Sequence, residues 1–468
     1  MACVFSNNSA FQSPGIPGGP PVRPPYYRQA LGGAIRNAGG SFTLQDCLLT
    51  GNTAAGSAGL NCCFASPEEF VWLSGLDGLG GAVYNSGNLT VLRCSFLRNA
   101  ASGGAGRSYS LTSSSQPLLP GGAGGSGTGG AICNIGNLSL ASTAFVSNTV
   151  TGGNGGAGAQ GYRDALYSNR GPGGPAGAGG NAQGSAVSGA VRAVNTTFAW
   201  NISGAGSGGV GGRGVDAYYN NTSGTDGGAG GNGGSVSGAI SGAANLTNCS
   251  LAFNSATFGF GGAGGAGGAG RGIGANGVPG PNGSNGATGG GGLNGGVCVN
   301  TLLATNLPGG NNSGALTDLG HNLSSDGSCA FTNGGSLNNT DPRLGPLANN
   351  GGPTLTMALL PGSPAIDAGD NVSAPSSDQR GISRPVGAFA DIGAYEFTAV
   401  LQISHAQASE INVLVYGPCG QSFRLLMSTN FSDWQCVATN QIGADGTVLF
   451  QDNYGPGETQ RFYKVELP

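Results

Sequence analysis

The chain has 468 residues, of which 97 are glycine and only 8% are charged. So much glycine with so few charges excludes a coiled coil, a helical bundle and a charged disordered tail, and the lack of a strict third-residue glycine period excludes collagen. The net charge is −4, but residues 1–310 carry 11 basic and 7 acidic side chains, whereas residues 311–468 carry 6 basic and 14 acidic ones. Basic residues spread this thinly do not form a nucleic-acid footprint, so nucleic acid is not an expected partner.

Metal ligands and membrane segments are also scarce. The 11 cysteines and 2 histidines are too scattered to predict a zinc site or a dense disulfide scaffold. No run of 18 or more apolar residues occurs, so no transmembrane segment is predicted. The sequence therefore predicts neither a metal nor another cofactor.

An internal repeat dominates residues 1–310. Its clearest copy starts at Gly80-Gly81-Ala82-Val83, and the other copies start at similar motifs and close on an asparagine. The closing asparagines, at intervals of 47, 49, 53, 53 and 52 residues, are Asn52, Asn99, Asn148, Asn201, Asn254 and Asn306. Three positions before them stand Leu49, Phe96, Phe145, Phe198, Leu251 and Leu303, and five positions before them stand Cys47, Cys94, Thr143, Thr196, Cys249 and Thr301. Such recurrence is typical of a solenoid.

Alternating apolar and polar residues, as in 89–92 and 138–140, predict short strands in each repeat. One repeat cannot bury its apolar face alone, whereas stacking places equivalent residues above one another at roughly 4.8 Å. The Leu/Phe column then becomes an interior ladder, and the asparagines are expected to hold turns, where they tolerate a left-handed backbone. These strands predict an all-β fold class, a parallel β-helix solenoid. The solenoid is predicted to be right-handed, because connections between parallel strands are almost always right-handed.

Each repeat also contains a long glycine-rich insertion between the closing asparagine and the next repeat motif, for example residues 152–184 and 259–292. Runs of Gly-Gly-Ala carry no side chains that pack, so the insertions are interpreted as loops that leave one edge of the solenoid. The alternative is that the glycine runs order as packed extended helices.

The chain is expected to begin inside a repeat. Residues 3–8 match the end of a repeat, with Asn8 standing 44 residues before Asn52, and no signal peptide precedes them. This pattern predicts a truncated amino terminus.

The repeat pattern of the sequence ends after Asn306. Residues 341–347 read Asp-Pro-Arg-Leu-Gly-Pro-Leu, residues 361–369 read Pro-Gly-Ser-Pro-Ala-Ile-Asp-Ala-Gly, and residues 391–396 read Asp-Ile-Gly-Ala-Tyr-Glu. This part strongly resembles the choice-of-anchor Q family of bacterial surface and secreted proteins, and the repeats resemble those of polymorphic outer membrane proteins. The resemblance covers nearly all of residues 1–397. It implies a right-handed β-helix, an extracellular or cell-surface location and no established catalytic residues.

Residues 311–397 are interpreted as a terminal cap. An open solenoid end exposes unpaired strand groups, so a polar terminal unit is needed to cover it. A near-balanced charged set expected to pair within its turns comprises Asp367, Asp378, Arg380, Arg384, Asp391 and Glu396. The alternative is a calcium site or a catalytic cluster of acids and arginines.

Residues 398–468 contain alternating apolar stretches separated by turns and predict a small antiparallel β-sandwich. Trp434 is interpreted as a core residue, with a sugar-binding platform as the alternative. Cys419 and Cys436 are candidates for a disulfide bond.

A catalytic site has to be weighed, because β-helices host polysaccharide lyases and hydrolases, which need paired carboxylates or a base beside a metal. The repeats contain 7 acids, of which only Asp46 falls within a repeat core, and they contain no histidine or lysine. The sequence therefore favours a non-enzymatic adhesin, matrix or polysaccharide-binding protein. A β-helical polysaccharide lyase or glycoside hydrolase and a purely structural spacer are the alternatives.

The candidate ligand contacts are aromatic and basic side chains within the insertions: Tyr162, Arg163, Tyr167, Tyr218 and Tyr219. Aromatic rings stack on sugar faces, and arginine pairs with acidic groups. The alternative is that these residues anchor and solubilise the insertions.

Overall fold

The computed structural model describes residues 3–11, 29–59, 74–108, 120–162, 171–407, 410–453, 455 and 460–467. Within these residues the chain is all-β without a helix, and five of its eight sheets are parallel. The parallel sheets come from the repeats. A complete repeat contributes one short strand to each sheet in turn, and the strands of successive repeats pair side by side.

The parallel sheets are numbered here in chain order within a repeat. Sheet 1 contains Ala30–Leu31, Gly78–Leu79, Gly127–Thr128 and Ala182–Gln183. Sheet 2 contains Ile35–Asn37, Val83–Asn85, Ile132–Asn134, Val187–Ser188 and Ile240–Ser241. Sheet 3 contains Ser41–Gln45, Asn88–Leu92, Asn137–Ala141, Val191–Val194, Ala244–Thr247, Gly296–Val299 and Leu316–Asp318. Sheet 4 contains Val4–Ser6, Leu48–Thr50, Ser95–Leu97, Ala144–Val146, Thr197–Ala199, Ser250–Ala252, Leu302–Ala304 and Leu323–Ser324. Sheet 5 contains Ser9–Phe11, Thr53–Ala55, Ala100–Ser102, Thr149–Thr151, Ile202–Gly204 and Ser255–Thr257.

The Leu/Phe column lies inside the stack. Its six members are fully buried and pair in register through sheet 4: Leu49, Phe96, Phe145, Phe198, Leu251 and Leu303. The ring centres of Phe96 and Phe145 lie 4.7 Å apart, and those of Phe145 and Phe198 lie 5.1 Å apart, with nearly parallel planes. The ring spacing matches the distance between neighbouring strands, so the same contact recurs from repeat to repeat.

The closing asparagines form a second interior ladder, but not in the turn conformation that the sequence predicts. Asn148 is fully buried, and its Nδ2 donates hydrogen bonds to Asn201 Oδ1 at 2.9 Å and to the Phe96 carbonyl oxygen at 2.9 Å. The left-handed backbone falls one residue earlier, at Ser147 and Trp200, with φ of 54° and 58°. The asparagine is needed because its amide pairs with both neighbouring repeats at once.

The interpretation of the glycine-rich insertions as loops is wrong, and the alternative of packed extended segments is what the structure shows. The two insertions that are fully described, 205–236 and 258–290, run outward and return, and their glycines bond to neighbouring segments in steps of three residues. Gly208 and Gly211 donate to the carbonyls of Phe260 and Ala263 in the next repeat, whereas Gly209 donates across to Gly177. A repeat of three residues, with hydrogen bonds between segments rather than along them, is typical of polyproline II helices.

Glycine is required where these segments meet. A Cβ on Gly206 would lie 1.9 Å from the carbonyl oxygen of Gly153, which no side chain tolerates. In the run 261–269 the third residue of each Gly-Gly-Ala triplet is exposed instead. In this last insertion Gly261 and Gly264, the equivalents of Gly208 and Gly211, donate to the side-chain oxygens of Asn285 and Asn282 at 3.0 and 2.9 Å.

The predicted cap consists of two parts that lie in different places. The strands at 316–318 and 323–324 end sheets 3 and 4, and Cys329 and Phe331 join the interior cluster beside them. Residues 341–397 do not cap the stack but lie along the outer face of sheet 4, and they are called the lateral cover below. They include the antiparallel pair Leu344–Ala348 and Thr356–Leu359.

The lateral cover is bonded to several successive repeats. Gln379 Oε1 accepts a hydrogen bond from Thr197 Oγ1 at 2.7 Å, and the Ala394 N–H donates to Ser250 Oγ at 2.9 Å. The side chain of Ile392 packs in one cluster with the outward alanines of sheet 4. Those small alanines allow the close approach of the cover, which buries a face that would otherwise be apolar and open.

The carboxyl-terminal module consists of two three-stranded antiparallel sheets. One contains Val400–Gln407, Glu410–Tyr416 and Thr447–Asn453, and the other contains Gln435–Gln441, Ser422–Ser428 and Phe462–Glu466. Val413, Phe423 and Leu425 are fully buried or nearly so within their shared core. Along Glu410–Tyr416 buried residues alternate with partly exposed ones, which is the pattern that the sequence predicts.

Candidate binding surfaces

The lateral cover contains a group of buried charges. Asp378 and Arg380 form an ion pair at 2.8 Å, and Arg384 pairs with Glu396 at 3.1 Å. These four side chains are at most 6% exposed. Glu396 Oε1 also accepts the N–H of Val386 at 2.8 Å, so the charges fix the irregular backbone around them.

Burial shifts the pKa of two carboxyls of the lateral cover, those of Asp391 and Glu396. It raises the pKa of Asp391 well above the ordinary value, with the nearby Glu396 as the second cause, and it raises the pKa of Glu396 against the opposing charge of Arg384. Raised pKa values are also found at catalytic acids. Here, however, the carboxyl of Asp391 accepts the N–H groups of Asp367 and Phe397, away from solvent. A polymer substrate does not reach these groups, so the arrangement favours the structural role.

The outer face of sheet 3 is a different kind of surface, open and polar. Strand pairing places Asn88 beside Asn137, and it aligns Thr90 with Ser139 and Arg192. Asn137 Nδ2 donates to Asn88 Oδ1 at 2.8 Å along this face. A shallow groove of about 330 Å³ crosses four repeats here. Rows of amide and hydroxyl groups therefore repeat at the strand spacing of roughly 4.8 Å.

Among the described residues that line this groove, Arg192 is the charged one and none is a carboxylate. Its side chain is exposed, and no hydrogen bond or ion pair of its guanidinium is found among the described residues. The ligand contacts predicted from the sequence do not include this face. The available signal was the alternation of Asn137 and Ser139 with buried Leu138 and Leu140, which recurs in the equivalent strand of the preceding repeat.

Of the predicted ligand contacts, Tyr218 and Tyr219 lie at the outer end of an insertion and are 44% and 51% exposed. Their rings meet edge to face at 5.2 Å. Tyr162 is half-buried in the neighbouring insertion, and Arg163 and Tyr167 lie outside the described residues. Of the five predicted ligand contacts, the described structure thus brings Tyr218 and Tyr219 together.

The arginines of this region already have partners. Arg213 forms an ion pair with Asp216 at 2.6 Å, and Arg271 Nη1 donates to the carbonyl oxygen of Tyr218 at 2.7 Å. Asp46, the acid placed by sequence within a repeat core, lies at an exposed corner and pairs with Arg93 at 2.7 Å. That hydrogen bond lowers the pKa of Asp46.

Trp434 is not a core residue, contrary to the prediction. It is half-buried outside the core of its module, its Nε1 donates to the Phe431 carbonyl oxygen at 2.9 Å, and Lys464 Nζ lies 4.7 Å from its ring centre. Together with Phe431, which is 64% exposed, it forms a small aromatic surface.

Cys419 and Cys436, which the sequence proposes as a disulfide pair, are both free and exposed thiols. Inside the repeats, burial raises the pKa of Cys94 to about 12, which leaves an unreactive thiol. In the described part of the chain, no group of three or more histidine, cysteine, aspartate or glutamate side chains is placed to hold a metal ion. The same residues contain no helix long and apolar enough to cross a membrane.

Comparison of the chain with protein-family models, with curated proteins and with solved structures finds no match.

Proposed function

We propose that this chain is a non-enzymatic, exported or cell-surface protein whose stacked repeats form a right-handed parallel β-helix and whose polar face binds polysaccharide. The right hand follows from the strong preference of parallel crossover connections. The resemblance to choice-of-anchor Q proteins and to polymorphic outer membrane protein repeats supports the location. The observation that carries the binding function is the open array of amide, hydroxyl and guanidinium groups on sheet 3.

The geometry of this array suits a polymer better than a small molecule. Small-molecule sites enclose most of the ligand surface, whereas this groove is shallow and extends across repeats. Side chains recur at roughly 4.8 Å between strands and roughly 7 Å along a strand, so that a chain of sugar units meets similar groups repeatedly. Each contact is weak, and affinity accumulates over many of them. The unpaired charge of Arg192 favours an acidic polymer.

The lyase or hydrolase alternative requires carboxylates at the substrate. No described residue that lines the groove on sheet 3 is a carboxylate, and the carboxyls with raised pKa values lie buried in the lateral cover. The spacer alternative predicts no retention of any polysaccharide.

Retention on immobilised acidic polysaccharide tests the proposal. We expect wild-type protein to be retained weakly, with retention that falls as salt rises because exposed charges are screened. Arg192→Gln should reduce retention several-fold, whereas Arg36→Gln, which removes an exposed arginine of sheet 2, should not. Release of reducing ends or unsaturated products, with or without calcium, would overturn the non-enzymatic proposal, and absence of retention at low salt would overturn polysaccharide binding.

A further inference from the structure

A column of residues runs along the corner between sheets 4 and 5, one residue before each closing asparagine. Its members are Gly51, Arg98, Ser147, Trp200, Phe253 and Thr305. The strand residues that precede four of them, Leu97, Val146, Ala199 and Ala252, pair in register. Arg98, Ser147, Trp200 and Phe253 therefore follow one another along the stack, one repeat apart.

The backbone of this column is left-handed, with φ of 52° at Arg98 and 58° at both Trp200 and Phe253. Glycine adopts this conformation without strain, whereas bulky residues rarely do. In a chain so rich in glycine, the column uses glycine at Gly51 and large side chains at several other positions. Strained positions of this kind cluster at functional sites, which directs attention to the aromatic residues here.

Trp200 presents an open ring face. Its ring stacks on that of Phe253, with centres 4.7 Å apart and planes within 10° of parallel. Phe253 thus covers one face of the indole, and the other face is directed toward the repeat of Ser147. A serine side chain is too small to cover an indole, and Trp200 remains 49% exposed.

Arg98 lies on the far side of Ser147. Its side chain is exposed, and among the described residues its guanidinium has no hydrogen-bond or ion-pair partner. Two strand spacings, roughly 10 Å, separate the backbones of Arg98 and Trp200. The gap between the indole and the guanidinium is therefore about one ring thick.

We infer that Arg98, Ser147 and Trp200 form a site for one uronic acid unit of a polysaccharide. The pyranose ring stacks on the open face of Trp200 and fills the layer above Ser147, and its carboxylate pairs with the Arg98 guanidinium. This inference rests on the proposed polysaccharide binding and adds to it a second face and a substrate class. A neutral sugar uses the indole but leaves the guanidinium without a counter-charge.

Titration with tetragalacturonate, followed by tryptophan fluorescence and calorimetry, tests the site, with a neutral galactose tetramer of the same linkage as the comparison ligand. Trp200→Ala should weaken binding of the acidic oligomer by about tenfold or more. Arg98→Gln should abolish the preference for the acidic over the neutral oligomer. Ser147→Phe should block binding, because a third ring then fills the open layer, and Phe253 shows that phenylalanine fits this backbone.

Trp434→Phe is the matched control, since it removes a tryptophan of the carboxyl-terminal module and should leave affinity unchanged. Thermal melting establishes that each variant is folded. Wild-type affinity in Trp200→Ala or in Ser147→Phe would overturn the inference, as would equal wild-type affinity for the two oligomers. If Arg192→Gln weakens polysaccharide retention while Trp200→Ala does not, this site fails and the proposed function stands. If wild-type protein retains no polysaccharide, both fail.

Discussion

The backbone N–H of Gly206 donates a hydrogen bond to the carbonyl oxygen of Gly180 over 2.9 Å, between an outgoing segment and the returning segment of the preceding insertion. The same contact recurs where Gly153 donates to Gly125 and Gly259 donates to Gly234. Glycine-rich stretches thus form a bonded layer beside the strands, and their order depends on contacts that admit no side chain.

Gly206→Ala should therefore destabilise the protein by about 1–3 kcal/mol or more, because its Cβ would overlap backbone that has little room to shift. Gly204→Ala is the matched control two residues earlier, since no atom lies within 4 Å of its added Cβ. That variant should change the free energy of unfolding by less than about 0.5 kcal/mol. Urea unfolding compares the two, and equal effects would contradict the packed arrangement.

The interior ladder predicts a large cost for Phe96→Ala. Phe96 is fully buried and stacks on Phe145, so truncation leaves a cavity and should cost about 3–5 kcal/mol. Arg98→Ala, two residues along the chain on the exposed corner, should cost under about 0.5 kcal/mol. Chemical denaturation measures both, and similar costs would show that the assigned register is wrong.

Truncation of a closing asparagine should lower the free energy of unfolding by a similar amount. Asn148→Ala removes the acceptor for the backbone N–H and the side-chain amide of Asn99 and leaves the buried Phe96 carbonyl without its side-chain donor. Buried groups without partners are costly, so we expect a loss of about 3 kcal/mol or more. The exposed Asn137→Ala should lose under about 0.5 kcal/mol. A small loss at Asn148 in thermal and urea unfolding would indicate that water replaces the ladder bonds.

The buried carboxyls predict a specific dependence of stability on pH. Because burial raises the pKa of Asp391 and Glu396 in the folded protein, the folded state holds protons more tightly than the unfolded state. Their contribution is complete below the ordinary values of 3.8 and 4.5 and is lost as pH rises through the folded values. Between about pH 4 and pH 7, the unfolding free energy of wild type should fall relative to that of Asp391→Asn.

Asp370→Asn is the control, because the contribution of Asp370 to stability has the opposite dependence on pH. A hydrogen bond from Ser373 lowers the pKa of Asp370, so its contribution is present above the ordinary value of 3.8 and is lost as pH falls. Melting curves across this range compare the three proteins. Parallel pH profiles for wild type and Asp391→Asn would contradict the raised pKa of Asp391.

Replacing residues 259–288 with a short turn tests whether the insertions support one another. This segment accepts hydrogen bonds from Gly208, Gly211 and Gly230 of the preceding insertion, which would lose their partners. We expect faster hydrogen exchange within residues 204–236 and a lower melting temperature, with little change in the amides of sheet 4. Unchanged exchange in 204–236 would show that each insertion is ordered independently.

The sequence alone determines the stacked part of this protein to a large extent. The recurring Phe96, Phe145 and Phe198 mark the interior because apolar residues that return at one interval must share one environment in a stack. The alternation in residues 138–140 and in the carboxyl-terminal module likewise reports directly which side chains face inward, since strands have a period of two. The same local signals predict the antiparallel strands near the carboxyl terminus.

Tertiary structure alone decided the rest. The glycine-rich segments are held by hydrogen bonds such as that of Gly206 with Gly180, between residues far apart in sequence, so local patterns do not decide whether they are loops or packed helices. Residues 341–397 read as a cap because of their polar turns, yet the small Ala199 and Ala252 of sheet 4 offer them a lateral face. The open face of Trp200 likewise exists because Ser147 precedes it in the stack, a relationship between residues 53 positions apart that no local pattern encodes.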